Sequence, residues 1–494
     1  MLWSDLDVAL GPSPRYDFQV EGVTYDSRRV APGVIFVAIA GAHQDGHRFV
    51  AQALEAGAPV AIVERLVDGC PAERQLLVTD SRVALAELAA AVSGDPSREL
   101  PVIGVTGTDG KTTTTTMLQA ALTASTGCAG SLTTIDFRIG STVEPNLSRQ
   151  TTLEAPEIQQ HLRRMVEAGC RAAVVESTSH GLALHRLDRI RFAGAVFTNI
   201  THEHLDFHGT WENYFAAKAT LLDYAGSAGG FAVLNRDDPL AYDRLRLRSR
   251  GPVLTYSAQG NPEADLSATP AVPDGRGLAF TARTPAGSTP VRLRMAGRWN
   301  VGNALAALAA GLLLDQPLSS LVDGLTDLGS IPGRMESVDL GQPFAVIVDY
   351  AHTPAALRLA LYELRASTPG RLIVVFGSAG ERDRAKRPEM GRIAAQLADH
   401  VIVTTEDPRG EDEEQIIAEI CEGATAAGAL EGENLERIAD RAEAIAHAVA
   451  IALPGDTVLL AGKGHERSII GALGPVPWDE RASAEQALRA RLAR

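Results

Sequence analysis

Residues 104–116, GVTGTDGKTTTTT, constrain the fold more than any other part of this chain. They follow a short apolar run, residues 101–105, and lead into a segment with apolar residues at helical spacing, residues 117–122. A short apolar run predicts a buried strand, and apolar positions three to four residues apart predict a helix. The expected order is therefore strand, glycine loop, helix.

The residue types in this loop predict a phosphate site. Gly107 and Gly110 let the backbone turn tightly, so that its N–H groups and the positive end of the new helix point at the same phosphate oxygens. Lys111 adds a positive charge and Thr112 a hydroxyl suited to Mg²⁺. The spacing GxxGKT is shorter than the general GxxxxGKT pattern, and a purely packing role for the glycines is the alternative. With the Lys-Thr pair in place, we predict that the loop binds a nucleoside triphosphate.

Composition and charge narrow the class of protein. The chain has 494 residues, of which 45% are apolar and 22% charged, as in an ordinary globular protein. This length accommodates roughly two to four domains. Since 61 acidic residues outnumber 46 basic ones, the net charge is −15. We therefore expect no nucleic-acid partner, because no excess of Lys and Arg is available to displace counterions.

Neither the cysteines nor the first residues indicate an oxidising or membrane setting. The four cysteines, at positions 70, 128, 170 and 421, form no CxxC pair and are expected to be scattered, buried thiols in a reducing compartment. No signal peptide is visible, and no apolar run approaches the ~18 residues that a membrane span needs. We expect a cytoplasmic protein without membrane contact and, although nothing in the sequence decides it, a monomer.

Breaks in the periodic pattern predict an α/β protein of three domains. Residues 1–98 form a small α/β domain, and residues 99–331 form a central P-loop ATPase-like domain whose mostly parallel sheet is covered by helices. Residues 254–293 are strand-like and predict an antiparallel flap at the edge of that sheet. Residues 332–494 form a Rossmann-like domain with strands near 345–348, 372–376, 400–404 and 457–460. This domain lacks GxGxxG, so a nicotinamide site is not indicated.

Polar residues follow two buried strands of the central domain, in ESTSHG at 176–181 and in TNITHEHLDFH at 198–208. Open α/β sheets bind ligands at the carboxyl ends of their strands. The three His and two acidic residues within 202–208 either chelate a metal or form a polar loop. Lys218, in a helical stretch, is most simply a solvated side chain. The polar residues of DSRR and HQDGH, around a strand in the first domain, are most simply solvated turns.

Several ordered motifs resemble those of the Mur ligase family over nearly the whole chain. The family's ATP loop is matched by TGTDGKTT at 106–113, its metal-binding strand ends by the two motifs above, its adenine-side helix by GRWNVGNALAA at 297–307, and its carboxy-terminal nucleotide contact by DYAHTPAAL at 349–357. The chain is most similar to the MurE type, through DSRRVAPGVIFVAIAG at 26–41, FGSAGERDRAKRPEMG at 376–391, EDPRGE at 406–411 and AGKGHE at 461–466.

This resemblance implies an ATP-dependent amide ligase of peptidoglycan precursor synthesis. Such an enzyme uses ATP and Mg²⁺ to join a free diamino acid to the D-Glu of UDP-MurNAc-L-Ala-D-Glu. ATP converts the carboxylate into an acyl phosphate, which the amine then attacks. Catalysis of this kind is mainly positioning and charge neutralisation. The first domain would bind the UDP substrate, the second ATP and the third the amino acid, and closure of the third would exclude water.

The resemblance also assigns individual residues. Catalysis is assigned to Lys111, Lys218 and His204, and Mg²⁺ to Thr112, Glu176, His204 and Lys218, the last as a carbamate. ATP is assigned to Gly107, Thr108, Gly110, Lys111, Thr112, Thr113, Asn303, Arg334, Asp349 and His352. The UDP-MurNAc-dipeptide is assigned to Ser27, His43, Gln44, Thr151, Thr152, Thr178 and Arg186. The incoming amino acid is assigned to Arg382, Asp407, Arg409, Gly462 and Glu466.

Three positions depart from the family pattern. Glu203 stands where an Asp precedes the metal histidine, and Leu184 where a Gln is usual near the muramoyl substrate. Asp407, in EDPR, replaces the Asn of the DNPR found in members that add meso-diaminopimelate. An added carboxylate favours a bare ammonium, whereas Arg409 acts in the opposite direction. We favour L-lysine or L-ornithine, with meso-diaminopimelate as the alternative.

Two further functions remain open. A folylpolyglutamate or cyanophycin synthetase would share the ATP loop and Lys218, but the DSRR, EDPR and GKGHE motifs argue against it. A nucleotide-dependent switch or binding protein would hydrolyse ATP without an amine acceptor, which leaves the amino-acid motifs of the third domain unexplained.

Overall fold

The structure is a computed structural model that describes residues 1–8, 10, 14, 16–41, 44–148, 150–201, 203, 205–274 and 277–493, without the side chains of residues 205 and 206. His43 and His204, both assigned above, therefore lie outside the described residues. The chain forms two compact units. The first unit comprises Met1–Ala268, Ala282–Thr289 and Gly302–Leu325, and the second comprises Thr269–Thr281, Pro290–Val301 and Thr326–Arg494. Each helix among the described residues is too short or too polar to cross a membrane.

A small parallel sheet forms the beginning of the first unit. Its elements are β1 (Gly22–Thr24), β2 (Val34–Val37), α1 (Val50–Glu55), β3 (Ala61–Val63), β4 (Gln75–Leu77) and α2 (Ser81–Val92). The strands pair in parallel in the order β1-β2-β3-β4. Asp80 fixes the start of α2, because its carboxylate accepts hydrogen bonds from the N–H groups of Arg82 and Val83. The buried face of α2, including Leu85, packs on strand residues such as Ile62.

The phosphate loop, residues 106–113, connects the first strand of the large sheet, which follows the small one, to the helix after it. The first elements are β5 (Val102–Thr106), α3 (Lys111–Thr126), β6 (Gly130–Leu132), β7 (Asp136–Ile139), β8 (Thr142–Pro145), α4 (Ala155–Glu167), β9 (Ala173–Glu176), α5 (Ser179–Ala183), β10 (Phe192–Phe197), α6 (Leu205–His208) and α7 (Trp211–Ser227). They continue with β11 (Phe231–Asn235), α8 (Tyr242–Arg248), β12 (Val253–Ser257), β13 (Leu266–Ala268), β14 (Val272–Asp274), β15 (Gly277–Thr284), β16 (Gly287–Leu293), α9 (Trp299–Leu313) and α10 (Leu318–Asp327).

Strand order explains why distant motifs meet. Counted over the described residues, this sheet has twelve strands in the order β14-β15-β13-β12-β11-β10-β5-β9-β6-β7-β8, with β16 on β15. Strand β5 lies between β10 and β9 and is parallel to both. The carboxyl ends of these three strands therefore lie at one edge. The predicted flap is confirmed for β13 and β14, which are antiparallel to β15, whereas β12 is parallel to β11.

The predicted strand and helix around the phosphate loop are confirmed. All five residues of β5 are buried. On α3 the apolar residues Met117, Leu118, Ala121 and Leu122 are also buried, as the helical spacing predicted. The buried strand β5 thus anchors the start of the loop, and the buried face of α3 anchors its end.

The end of the second unit has a doubly wound sheet. Its elements are β17 (Glu336–Ser337), β18 (Ala345–Asp349), α11 (Pro354–Ser367), β19 (Leu372–Phe376), α12 (Lys386–Leu397), β20 (His400–Val403), α13 (Glu413–Ala426), β21 (Leu435–Arg437), α14 (Arg441–Ile451), β22 (Thr457–Ala461), β23 (Ser468–Gly471), β24 (Gly474–Pro477) and α15 (Glu480–Leu492). The strand order is β17-β18-β22-β19-β20-β21, parallel except for β17.

The four strands predicted here are present to within one residue at their ends. Along β19, Leu372, Val374 and Phe376 join one apolar cluster and Ile373 and Val375 join another, so helices cover both faces of the sheet. The predicted α/β class is confirmed. Strands β17 and β21 and the β23–β24 hairpin were not predicted, because two to four residues carry too little pattern.

The cysteines differ from the expectation of scattered, buried thiols. Cys128 and Cys170 lie side by side with 2.9 Å between their sulfur atoms. The backbone brings them together, since the N–H of Arg171 donates to the carbonyl of Cys128 at 2.8 Å. All four thiols are free, but those of Cys70 and Cys128 are only partly buried. Partial burial raises the pKa of the Cys128 thiol to about 11, and the neighbouring thiol contributes to the rise.

Candidate functional site

The glycines of the phosphate loop are required by close packing. A Cβ on Gly107 would lie 1.8 Å from Oγ1 of Thr198, and one on Gly110 would lie 2.5 Å from Oδ1 of Asn303. Gly110 also has a φ of +81°, which L side chains rarely adopt. The loop therefore admits no side chain at either position.

Two lysines donate hydrogen bonds to carbonyls of this loop. Nζ of Lys111 lies 3.1 Å from the carbonyl oxygen of Gly107 and 2.7 Å from that of Thr108. Nζ of Lys218, on α7, lies 2.6 Å from the same Gly107 oxygen. Only 1% of Lys218 is exposed. The interpretation of Lys218 as a solvated side chain is therefore wrong, because the face of α7 that carries it packs against the sheet.

Burial lowers the pKa of the Lys218 ammonium well below its usual value, and the positive charge of Lys111 lowers it further. The carboxylates of Glu203, Asp109 and Glu176 act in the opposite direction. A lowered pKa increases the fraction of neutral amine at neutral pH, and only the neutral amine is a nucleophile. Lys218 is thus suited to react with CO₂ at its Nζ.

Glu176, at the end of β9, connects the phosphate loop to the next strand. The hydroxyl of Thr112 donates to its Oε1 and Oε2 at 2.9 and 3.0 Å. From the other side, the backbone N–H and the hydroxyl of Thr134 both donate to Oε2 at 3.0 Å. Hydroxyl and carboxylate oxygens are ligands that Mg²⁺ prefers. The donor set of Thr112 and Glu176 therefore fits a magnesium ion.

The three threonines assigned to the muramoyl substrate lie near Glu176. The hydroxyl of Thr152 donates to the Glu176 backbone carbonyl at 2.8 Å, and it accepts from the N–H of Thr178 at 3.0 Å. The hydroxyls of Thr178 and Thr152 are also 3.0 Å apart. The hydroxyl oxygens of Thr151 and Thr134 are also 3.0 Å apart. The hydroxyls of Thr134, Thr151, Thr152 and Thr178 thus form a row that begins at Glu176, whose carboxylate contacts the phosphate loop.

The other residues assigned to this substrate lie in two places. Arg186 joins the threonines, since its Nη1 donates to the carbonyl of Thr152 at 2.9 Å. Ser27 and Gln44 follow β1 and β2, which are adjacent parallel strands, so both lie beyond the same edge of the small sheet. His43 lies outside the described residues, and its role stays a prediction.

The end of β10 holds the phosphate loop from the opposite side. The carbonyl of Asn199 accepts from the N–H of Thr108 at 2.7 Å, and its side-chain oxygen accepts from the N–H of Asp109 at 2.9 Å. The hydroxyl of Thr198 donates to the carbonyl of Asp109 at 2.6 Å.

Over the part of the chain that the structure describes, three or more His, Cys, Asp or Glu nowhere form a metal-binding group. The assignment of His204 stays a prediction because this residue is not described.

Asn303, on α9, lies at the phosphate loop as the resemblance implied. Its Oδ1 accepts from the hydroxyl of Thr114, on the buried face of α3, at 3.1 Å. The same oxygen is the atom closest to the added Cβ position of Gly110. Helix α9 thereby places the amide of Asn303 against the phosphate loop, although Asn303 lies about 190 residues after Thr114 in the chain.

The remaining nucleotide residues form a group in the second unit around Tyr350. The guanidinium of Arg334 lies 4.8 Å from the centre of the Tyr350 ring, and Nδ1 of His352 lies 2.8 Å from the Tyr350 carbonyl. Asp349 accepts from the N–H of Met335 at 2.7 Å. Burial raises the pKa of the Asp349 carboxyl, although Arg334 acts against this. These three assigned residues are thus neighbours.

Residues assigned to the amino acid lie at the carboxyl ends of β20 and β22. Oδ1 of Asp407 accepts from Nζ of Lys463 at 2.7 Å and from the N–H of Ile470 at 2.9 Å. Lys463 also forms an ion pair with Glu466. Arg409 follows Asp407, and its N–H donates to the carbonyl of Ile470 at 2.8 Å. The β23–β24 hairpin is thereby fastened to the segment that carries both charges.

Gly462 and Arg382 complete the assigned set. Gly462 has a φ of +102°, and a Cβ there would lie 3.0 Å from Oε2 of Glu406. Arg382 is exposed and follows the turn in which the N–H of Gly380 donates to the carbonyl of Asp407 at 2.8 Å. Gly462 therefore packs closely against Glu406, whereas the side chain of Arg382 is exposed at the surface.

Three residues at these sites were not predicted. Thr134 orients Glu176, and Tyr214 lies with its hydroxyl 3.0 Å from that of Thr108 and its ring 4.6 Å from Nζ of Lys218. Lys463 pairs with Asp407 and Glu466, two residues assigned to the amino acid. Tyr214 is four residues before Lys218, a spacing that places two helical side chains on one face. Lys463 lies within a quoted motif, but nothing in the local sequence distinguishes Thr134.

Domain comparisons assign the whole arrangement to one class. Residues 19–93 match the model of the Mur ligase family catalytic domain, residues 105–311 that of the Mur ligase middle domain, and residues 333–464 that of the Mur ligase glutamate ligase domain. The chain belongs to the Mur ligase family, whose three-domain architecture it has.

Full-length relatives define the type within that family. The chain is 49% identical to the UDP-N-acetylmuramyl-tripeptide synthetase of Roseiflexus sp. (strain RS-1), covering 96% of each chain. It is 45% identical to the protein of the same name from Deinococcus radiodurans, covering 99% of this chain and 100% of the relative. A solved UDP-N-acetylmuramoyl-L-alanyl-D-glutamate–2,6-diaminopimelate ligase is 31% identical with a TM-score of 0.67, covering 96% of this chain and 95% of that one. The protein is an enzyme, a Mur ligase of MurE type.

Proposed function

We infer that this enzyme uses ATP to join a diamino acid to the D-glutamyl side-chain carboxylate of UDP-MurNAc-L-Ala-D-Glu. One observation carries the proposal: the carboxylate of Glu176 contacts Thr112 of the phosphate loop on one side and Thr134 on the other, at the start of the row of threonines assigned to the substrate. A phosphate donor and a carboxylate acceptor bound there would be neighbours.

The proposed reaction has two steps. The γ-phosphoryl group of ATP passes to a carboxylate oxygen of the substrate, and ADP leaves. The neutral amine of the amino acid then attacks the carbonyl carbon, phosphate leaves with the C–O electron pair, and the nitrogen loses a proton. Lys111 and the N-terminus of α3 neutralise charge on the phosphates, while the loop glycines let backbone N–H groups approach.

Thr112 and Glu176 would hold Mg²⁺, and so would Lys218 as a carbamate and His204. A bound magnesium ion would supply positive charge beside the transferring phosphoryl group. Carbamylation needs a neutral amine, which adds to CO₂ with loss of one proton. The lowered pKa of buried Lys218 supports this, as does its hydrogen bond to the loop carbonyl of Gly107.

The amino acid is proposed to be L-lysine or L-ornithine, with meso-diaminopimelate as the alternative. The carboxylate of Asp407 supports a basic amino acid, since it attracts a bare ammonium, although its ion pair with Lys463 reduces this attraction. Arg409 and the name of the solved relative support the dicarboxylic alternative.

The division of labour is proposed to follow the boundaries given above. Residues 1–98 would bind the UDP part of the substrate, residues 99–331 would bind ATP, and residues 332–494 would bind the amino acid and contribute Arg334, Asp349 and His352. The ranges matched by the three domain models support these boundaries. Because the proposed substrates are cytoplasmic metabolites, the proposed location is the cytoplasm, and the proposed state is a monomer.

The test is phosphate release by the purified protein with ATP, Mg²⁺ and UDP-MurNAc-L-Ala-D-Glu. Lysine, ornithine and meso-diaminopimelate are offered in separate reactions. We expect one of them to raise turnover strongly and to yield the tripeptide product by mass. UDP-MurNAc-L-Ala, which lacks the glutamyl carboxylate, serves as the matched control and should give no product. Equal ATP hydrolysis with and without every amino acid would favour a nucleotide-dependent switch.

A further inference from the structure

Lys463 is a buried cation placed between two acids of the amino-acid site. None of its surface is exposed, and only 6% of Asp407 is exposed. Its Nζ lies 2.7 Å from Oδ1 of Asp407, and it forms a second ion pair with Glu466, three residues along the chain. Neither carboxylate therefore presents a full negative charge to a ligand.

The use of lysine at this position is unusual for this chain. Lysine occurs only at positions 111, 218, 386 and 463, and the other 42 of the 46 basic residues are arginine. A lysine ammonium is a compact point charge with three donors, whereas the guanidinium of arginine is a broad planar fork. A compact cation suits the confined position between Glu466, three residues along the chain, and Asp407, on the segment after β20.

Several other charged or polar groups lie near Lys463. Arg441 and Glu480 form a buried ion pair at 2.6 Å, and the Tyr350 hydroxyl donates to Glu466 at 3.4 Å. Glu406 is buried on the segment before Asp407. Arg409 supplies a further positive charge on the same segment as Asp407. The charges of Lys463 and Arg409 together balance those of Asp407 and Glu466.

We propose that Lys463 determines amino-acid specificity by neutralising Asp407 and Glu466. The inference rests on the proposed function. With Lys463 in place, the site does not strongly reject an amino acid whose distal end carries a carboxylate as well as an ammonium. Without that positive charge, Asp407 and Glu466 would repel a distal carboxylate and favour a bare ammonium. Lys463 acts through these acids and is a positioning residue.

The experiment is a competition between L-lysine and meso-diaminopimelate in one reaction, with the ratio of the two products read by mass. This ratio reports relative kcat/KM and does not depend on how much of the enzyme is folded. The proteins are the wild type, Lys463→Gln, Asp407→Asn and the double variant. Arg371→Gln is the matched control, because it breaks a pair with buried Asp456 at the opposite, amino-terminal ends of β19 and β22.

We expect Lys463→Gln to raise the lysine-to-diaminopimelate product ratio about tenfold or more, as for one unit charge several ångströms from the ligand. Asp407→Asn should lower the ratio, and the double variant should return to within about twofold of the wild type, because its net charge is restored. If the wild type forms only one of the two products, the variant that favours the other amino acid should form a detectable amount of the second product.

The same ratio in all four proteins would overturn the proposal, as would an equal shift in Arg371→Gln. A purely structural role would reduce both products together and leave their ratio unchanged. Failure of the proposed function has a different signature, since the wild type would then form neither product while still hydrolysing ATP.

Discussion

At the scale of single residues, the chemistry of a buried lysine depends on which groups its ammonium contacts. Lys218 and Lys463 are both buried, but Lys218 meets a backbone carbonyl of the phosphate loop whereas Lys463 meets two carboxylates. Burial and the positive charge of Lys111 lower the pKa of the Lys218 ammonium. Identical side chains are thereby suited to different tasks, one as a neutral nucleophile and one as a fixed positive charge.

Lys218 is expected to carry a carbamate. With ¹³C-labelled bicarbonate, the wild type should show a carbamate carbon resonance that Lys218→Ala lacks, and this variant should lose activity by at least about tenfold. The control is Lys386→Ala, because burial also lowers the pKa of Lys386, and its Nζ donates to the carbonyl of His352 in place of a carbonyl of the phosphate loop. A resonance that persists in Lys218→Ala, or disappears in Lys386→Ala, would contradict the assignment.

Thr134 is expected to control magnesium binding through Glu176. Thr134→Val preserves shape but removes one of the hydrogen bonds that orient the carboxylate. The Mg²⁺ concentration for half-maximal activity should rise about tenfold. Thr116→Val is the control, because the hydroxyl of Thr116 donates to the backbone carbonyl of Thr112 at 2.9 Å and does not contact Glu176. If both variants require the same Mg²⁺ as the wild type, Thr134 does not act on the metal site.

At the scale of elements, helix α3 has a glycine with positive φ at each end, one against Asn303 and the other in open space. Gly110 precedes the helix with a φ of +81°, and Gly127 follows it with a φ of +85°. An added Cβ meets Asn303 at the first position and nothing within 4 Å at the second. The two ends therefore bear similar backbone strain in different surroundings.

Gly110→Ala is expected to weaken the binding of a non-hydrolysable ATP analogue by at least about tenfold, whereas Gly127→Ala leaves it unchanged. Gly127→Ala should cost about 1 kcal/mol of stability, because alanine is strained at positive φ. Gly110→Ala should cost more, because its added Cβ also meets Oδ1 of Asn303 at 2.5 Å. Isothermal titration gives the affinity and thermal unfolding gives the stability. Equal loss of affinity in both variants would mean that strain in the helix, and not crowding at the loop, limits binding.

At the scale of the whole molecule, buried arginines of the described residues are paired with carboxylates, whereas the partly buried His465 has only positively charged groups among its strongest electrostatic neighbours. Arg441 pairs with Glu480, and fully buried Arg387 pairs with Glu411 and Glu419. Burial instead lowers the pKa of the His465 imidazole to about 3, and the positive charges of Arg334, Arg467 and Lys463 contribute to this. The folded chain therefore keeps His465 neutral in mild acid.

This predicts how stability depends on pH. Above the unfolded pKa of about 6.5, His465 is neutral in both states and has no effect. As pH falls towards 3, the unfolded chain gains a proton that the folded chain cannot, and stability falls by up to about 1.4 kcal/mol per pH unit. Between pH 7.5 and 5, the Tm of the wild type should therefore fall by several degrees more than that of His465→Asn.

Scanning calorimetry at the two pH values provides the measurement. Asp349, whose pKa burial raises, acts in the opposite sense but is present in both proteins, so it cancels in the comparison. Equal falls in Tm for the wild type and His465→Asn would show that this histidine is not the acid-sensitive group.

The sequence by itself determined the elements around the phosphate loop, the α/β class and the strand ends that carry the assigned residues. Those features depend on apolar spacing and glycine positions within about ten neighbouring residues, and these are visible locally. Only the tertiary structure decided that Lys218 is buried, that Thr134 orients Glu176 and that Lys463 neutralises Asp407. The physical reason is that each of these contacts depends on strand order, which brings together residues 42 to 111 positions apart in the chain.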